Sequence, residues 1–132
     1  MVREYLTGVY PRSFWVFDRK DLPSVINAFE PVDACEPWDE EAFEGKYMAS
    51  VRVCHKNTRK LGYMVMVPHK PVEAEGPLWK HAAHEAVHCA IWCCGDLDIG
   101  ISGDNQEPLA YLTGYYTDCI MQHCAMNNCN AK

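Results

Sequence analysis

The sequence has no C-x-x-C pair, no apolar run near the ~20 residues needed to cross a bilayer, and no concentrated basic patch. The first absence disfavours a zinc ribbon or a thioredoxin-type site. Of the eight cysteines, Cys89, Cys93 and Cys94 sit inside an apolar run, and Cys119, Cys124 and Cys129 recur every five residues. That spacing suits free, buried cysteines in a reducing compartment better than a disulfide framework. A redox or second-metal role is the rival reading. The second absence excludes a helical membrane span. Arg3, Glu4 and Pro11 leave no apolar segment of signal-peptide length at the start, so the expected location is the cytoplasm.

The third absence bears on partners. The net charge is −6, and the cations are scattered apart from "HKNTRK" at residues 55–60, so nucleic acid is not an expected partner. No repeat, low-complexity tract or long linker divides the chain. Its 132 residues are expected to form a single domain, 1–132, long enough to bury a core.

The elements follow from pattern. "SFWVF" (13–17) predicts a short strand after Pro11. "DLPSVINAF" predicts a helix with Asp21 at its cap, Pro23 in its first turn, and Val25, Ile26 and Phe29 at helical spacing. The acidic stretch 36–44 reads as a turn with one helical turn. "YMASVRVC" and "LGYMVMV" flank a polar loop and predict an antiparallel pair over 47–54 and 61–67. A helix is predicted from Pro77 to a Gly95 cap, then a glycine-punctuated loop. A second helix follows from about Asp104–Pro108 to residue 124, with a fraying tail. The expected class is α+β, a small antiparallel sheet packed against two main helices.

The first of those helices carries "HAAHEAVHCAIW" (81–92). Residues four apart share a helix face, so His84 and His88 present two imidazoles to one point, with Glu85 at its flank. This is H-E-x-x-H, two nitrogen donors for one Zn²⁺ ion and a carboxylate placed to take a proton from an activated water. A shuffled chain of this composition would hold the motif roughly 2% of the time, so its helical context carries much of the argument. Two histidines leave zinc one protein ligand short. Eighteen residues separate His88 from Glu107, in "DNQEPLAYLTGY". Glu107, Ala110 and Gly114 form one stripe, and Ala82, Ala86 and Ala90 another. Small residues on both would let the helices approach closely.

"HEAVH" with Glu107 downstream resembles the gluzincin-type zinc metallopeptidases. The wider run is similar to small metallopeptidases predicted from phage and prophage genomes. The resemblance covers roughly residues 77–118. It implies a minimal zincin-like core, with zinc on His84, His88 and Glu107, Glu85 as general base, and a peptide or protein substrate. Where gluzincins often place an aspartate four residues after the third ligand, this chain has Tyr111, so Tyr111 or Asp118 is expected to support the ligands instead.

Other readings stand beside this one. His81 shares the histidine face as an alternative third ligand or cleft wall, and Asp104 with Glu107 fits a capping box. His55, His69 and His123 read as surface residues, and Tyr115 and Tyr116 as core and rim rather than catalytic, with a donor to an oxyanion as the alternative role. The strand 61–67 is the expected cleft edge, to which an extended peptide adds. The alternative function is a non-catalytic zinc-binding interaction module, its metal site closed by Cys54, His69 or His123.

Overall fold

The computed structural model describes residues 2–33 and 37–128. Its strands are β1 (Val2–Leu6), β2 (Ser13–Asp18), β3 (Phe29–Pro31), β4 (Ala49–His55) and β5 (Leu61–Val67). Its α-helices are α1 (Leu22–Ala28), α2 (Leu78–Asp96) and α3 (Glu107–Asn128). The strands form one sheet in the order β1-β2-β5-β4-β3. The class is α+β, as the pattern implies.

The side-chain alternation of β2 and β5 explains the layers. Phe14 and Val16 with Tyr63, Val65 and Val67 face α2 and α3, while Trp15 and Phe17 with Met64 and Met66 face α1 and Phe43. A strand buried on both faces must be apolar throughout, and these two are nearly so. α2 lies over β4 and β5, and α3 over β2 and β5.

Several elements differ from expectation. The β4–β5 antiparallel pair forms as read, but β5 also pairs in parallel with β2, from Ser13↔Gly62 to Asp18↔Val67. The sheet is therefore mixed, and β5 is its middle strand rather than a cleft edge. Gly62 permits the parallel contact: a Cβ there would lie 2.7 Å from the Ser13 carbonyl carbon and 2.8 Å from Trp15 Cζ3. β1 and β3 were not anticipated; they extend the sheet antiparallel to β2 and β4.

The motif helix does not stop at Gly95. It runs to Asp96, and Asp98 takes the left-handed position at φ 58°, a conformation short polar side chains tolerate. The Ile99 N–H returns to the Cys94 carbonyl and closes the helix end. Within the acidic stretch, Glu40–Phe43 forms a single 3-10 turn capped by Asp39. Glu36 and the tail from residue 129 lie outside the described residues.

Candidate metal centre

α2 buries Ala82, Glu85, Ala86, Cys89, Ala90, Cys93 and Cys94, a continuous stripe at helical spacing. His84 and His88 lie on its exposed flank, one turn apart. Their Nε2 atoms stand 3.2 Å from each other, with the rings inclined at 74°. Two nitrogens bonded tetrahedrally to one zinc at about 2.05 Å would be separated by about 3.3 Å, so this spacing fits a shared ion. The Glu85 carboxylate completes the group, all ligand atoms lying within 4.8 Å of one another. The donor set of two imidazoles and a carboxylate is one that zinc accepts.

Glu85 is held differently from the histidines. It points inward and is 8% exposed. Oε2 accepts from the Ser50 hydroxyl of β4 at 3.4 Å. Burial pushes its carboxyl above the usual carboxylate range, while His84, His88, Ser50 and Lys46 pull it back. A carboxylate shifted upward in this way is a better proton acceptor than an exposed one.

The seam between α2 and β4 continues on both sides of Glu85. His81 donates to or accepts from nothing in the metal group; its Nε2 meets the Glu75 carbonyl at 2.7 Å, and its ring packs edge-on against Tyr47. Towards the other end, Trp92 stacks between His88 and Tyr63. Asp96 then accepts from Tyr63 at 2.7 Å and from Arg52 at 2.6 Å. These contacts fix the rotation of α2, and with it the direction in which His84 and His88 point. A cavity of about 350 Å³ opens beside them, walled by Tyr47, Met48, Lys80, His81, His84 and Glu85.

The structure does not bring Glu107 to this group. The face of α3 that packs inward carries Leu112, Tyr116, Cys119, Ile120 and Cys124, all buried. Glu107 is nine residues before Tyr116, which at 100° per residue places it about 180° round the helix, on the exposed side. Ala110 and Gly114 are exposed with it, and a Cβ on Gly114 would meet nothing within 4 Å. The small-residue stripe of α2 is buried as expected, but its counterpart on α3 faces solvent. The Gln106 carbonyl accepts from the Ala110 N–H, which makes Glu107 the first helical residue. The capping box with Asp104 is therefore not formed either, and a carboxylate there meets the positive helix end.

The remaining candidates are also elsewhere. Tyr111 is exposed and stacks on Tyr115, and Asp118 accepts from Gln122. Tyr115 donates to the Leu6 carbonyl, and Tyr116 is buried against Phe14 at 4.3 Å between ring centres, so neither reaches an oxyanion beside His84. Tyr47, which the sequence reading passed over, is the tyrosine that walls the cavity. His69 pairs with Asp18, and the Cys54 thiol meets the His55 carbonyl. His123, read as a surface residue, is 1% exposed in α3, and burial pushes its imidazole down to about 4. Among the described residues no fourth protein ligand joins His84, Glu85 and His88.

The described cysteines, from Cys54 to Cys124, are unpaired and buried. Burial raises the Cys119 and Cys124 thiols to about 11, far from the range of a reactive thiolate.

What the fold and site define is an α+β domain with an H-E-x-x-H helix laid across the sheet and its histidines open to solvent. The chain matches no family model, no curated protein and no solved structure.

Proposed function

We propose that the protein is a zinc-dependent hydrolase acting on peptide bonds, with His84 and His88 as the protein ligands of one ion, its other positions open to water and substrate, and Glu85 as general base. The observation that carries this is the 3.2 Å Nε2–Nε2 spacing beside an inward, upward-shifted Glu85 carboxylate. Zinc, when bound, supplies Lewis acidity towards the scissile carbonyl and makes water a stronger acid. Glu85 accepts a proton at its carboxylate and delivers it to the leaving amine. Ser50 keeps that carboxylate oriented through one oxygen.

Peptide recognition is supported by β4 rather than β5. β3 pairs only with Val53–His55, and Val32 adds one bond to Arg52. Ala49–Val51 therefore have no strand partner on that side among the described residues. An extended chain can add there by backbone hydrogen bonds, close to Glu85 because Ser50 is in that segment. The apolar face of Trp38 and Phe43 walls a cavity of about 260 Å³ along the same edge.

We place the protein in the cytoplasm, where its unpaired, buried cysteines persist as thiols. No helix among the described residues is long and apolar enough to cross a membrane.

A second reading is favoured by one observation, the closeness of the Glu85 carboxylate to both imidazoles. In it Glu85 is the third zinc ligand, and the protein binds metal without hydrolysing peptides. Zinc titration of Glu85→Gln separates the two. Retained stoichiometric zinc with loss of hydrolysis supports the base; loss of zinc supports the ligand and removes the hydrolase reading.

A further inference from the structure

Arg52, Arg59 and Lys60 are ion-paired, with Asp33 and Asp96, Glu30 and Glu4. Arg12, Arg19, Lys20, Lys46, Lys56, Lys70 and Lys80 have no ion pair among the described residues. Four of these seven line two adjoining cavities. Arg19, Lys46 and Lys70 wall a cavity of about 420 Å³, and Lys80 walls the metal-centre cavity next to it. Tyr47 is common to both walls.

The charge of the larger cavity is positive in a protein of net charge −6. Glu75 is the single carboxylate among its lining residues, against three permanent cations. His69 also lines it, with the buried Asp18 carboxylate 3.0 Å from its Nδ1. The Arg19 guanidinium has only a long 3.5 Å contact to the Phe43 carbonyl. The Tyr47 hydroxyl accepts from the Val72 N–H at 3.0 Å, which fixes the ring between the two cavities. Like charges gathered without partners repel one another and favour an arriving anion.

We infer that the cavity walled by Arg19, Lys46 and Lys70 is a subsite for a carboxylate of the peptide substrate. This rests on the hydrolase reading above and names its substrate class. A tyrosine ring is about as wide as two residues of extended chain, roughly 7 Å at 3.3 Å per residue. The carboxylate would therefore lie one or two residues from the bond attacked. Two sources carry the same chemistry: an aspartate or glutamate side chain, or the C-terminal carboxylate of a short peptide.

The test is equilibrium binding of three fluorescent, N-acetylated alanine hexapeptides, measured with chelator present so that no carboxylate is held by zinc. One has a free C-terminus, one is amidated, and one is amidated with a central glutamate. At least one carboxylate peptide should bind roughly tenfold more tightly than the neutral one, and the gap should close at high salt. Which peptide gains identifies the source. The Lys46→Glu/Lys70→Glu double variant, both sites exposed, should lose the preference while keeping its melting temperature. Equal binding of all three peptides, no binding by any, or an undiminished preference in the double variant overturns the inference. His84→Ala should keep the preference and lose zinc. If it keeps zinc, the hydrolase reading fails while the anion subsite stands.

Discussion

Ser50 of β4 donates to Glu85 of α2 at 3.4 Å, a contact spanning thirty-five residues that ties the motif helix to the strand beneath it. The bond favours the ionised carboxyl and so opposes the upward push of burial. Ser50→Ala removes that opposition. The Glu85 carboxyl should then titrate at higher pH than in the wild type, followed by carboxyl-carbon NMR. If hydrolysis is measurable, the acid limb of its pH profile moves up with it. An unchanged titration would show that the serine does not sense the charge.

The same burial sets a stability prediction for the metal-free protein. The folded-state carboxyl of Glu85 lies above its unfolded value. Its stabilising contribution is present below the unfolded pKa, near 4.3, and is lost as pH rises through the raised folded value. Glu85→Gln has no such loss. At pH 7 the variant should be as stable as wild type or more stable, by on the order of 0.5 kcal/mol, with the difference vanishing in acid. Denaturant melts at the two pH values decide it.

Zinc should bind to the wild type at one ion per chain, and His84→Ala and His88→Ala should each abolish that stoichiometry. Metal bound to the native state raises its melting temperature, and both variants should lose this gain. Glu107→Ala should keep wild-type zinc affinity. It should cost only about 0.3–1 kcal/mol at low salt, the helix-end contribution of a first-turn carboxylate. A large affinity loss in Glu107→Ala would mean that α3 turns to present its outer face to the histidines.

Gly62→Ala should be among the most damaging small substitutions in the molecule. The added methyl meets the Ser13 carbonyl group and the Trp15 ring within a parallel pair that has no room to part. A loss of about 3 kcal/mol or more is expected, read as a lowered denaturant midpoint.

The helices and the β4–β5 pair were legible because each is local: a capped apolar period, or two alternating runs round a short polar loop. Glu85, His84 and His88 were legible for the same reason, since i, i+1 and i+4 on one helix need no tertiary information. The parallel pairing of β2 with β5 joins segments far apart in the chain, and no local pattern specifies it. Glu107 failed for a different reason. Its spacing from His88 fits, but the rotation of α3 is set by Leu112, Tyr116 and Ile120, at i, i+4 and i+8. That stripe was present in the sequence and outweighs the small residues opposite it, because large apolar groups contribute far more by burial than an alanine–glycine row. His123 was misplaced because a histidine on an apolar helix face is taken for a polar residue, whereas the packing there buries it as a neutral ring.

The place of β5 in the sheet has a consequence for synthesis. In chain order, β1–β2 and β3–β4 are two antiparallel pairs whose strands are all synthesised before β5. Until residues 61–67 leave the ribosome, the inner edges of β2 and β4 have no strand to join them. Both edges carry unsatisfied backbone groups in that interval and offer templates for neighbouring nascent chains. β5 closes the gap from both sides, parallel to β2 and antiparallel to β4. The histidine helix follows β5 in the chain, so it packs onto a sheet whose inner gap β5 has filled, while the outer side of β4 at Ala49–Val51 stays open among the described residues.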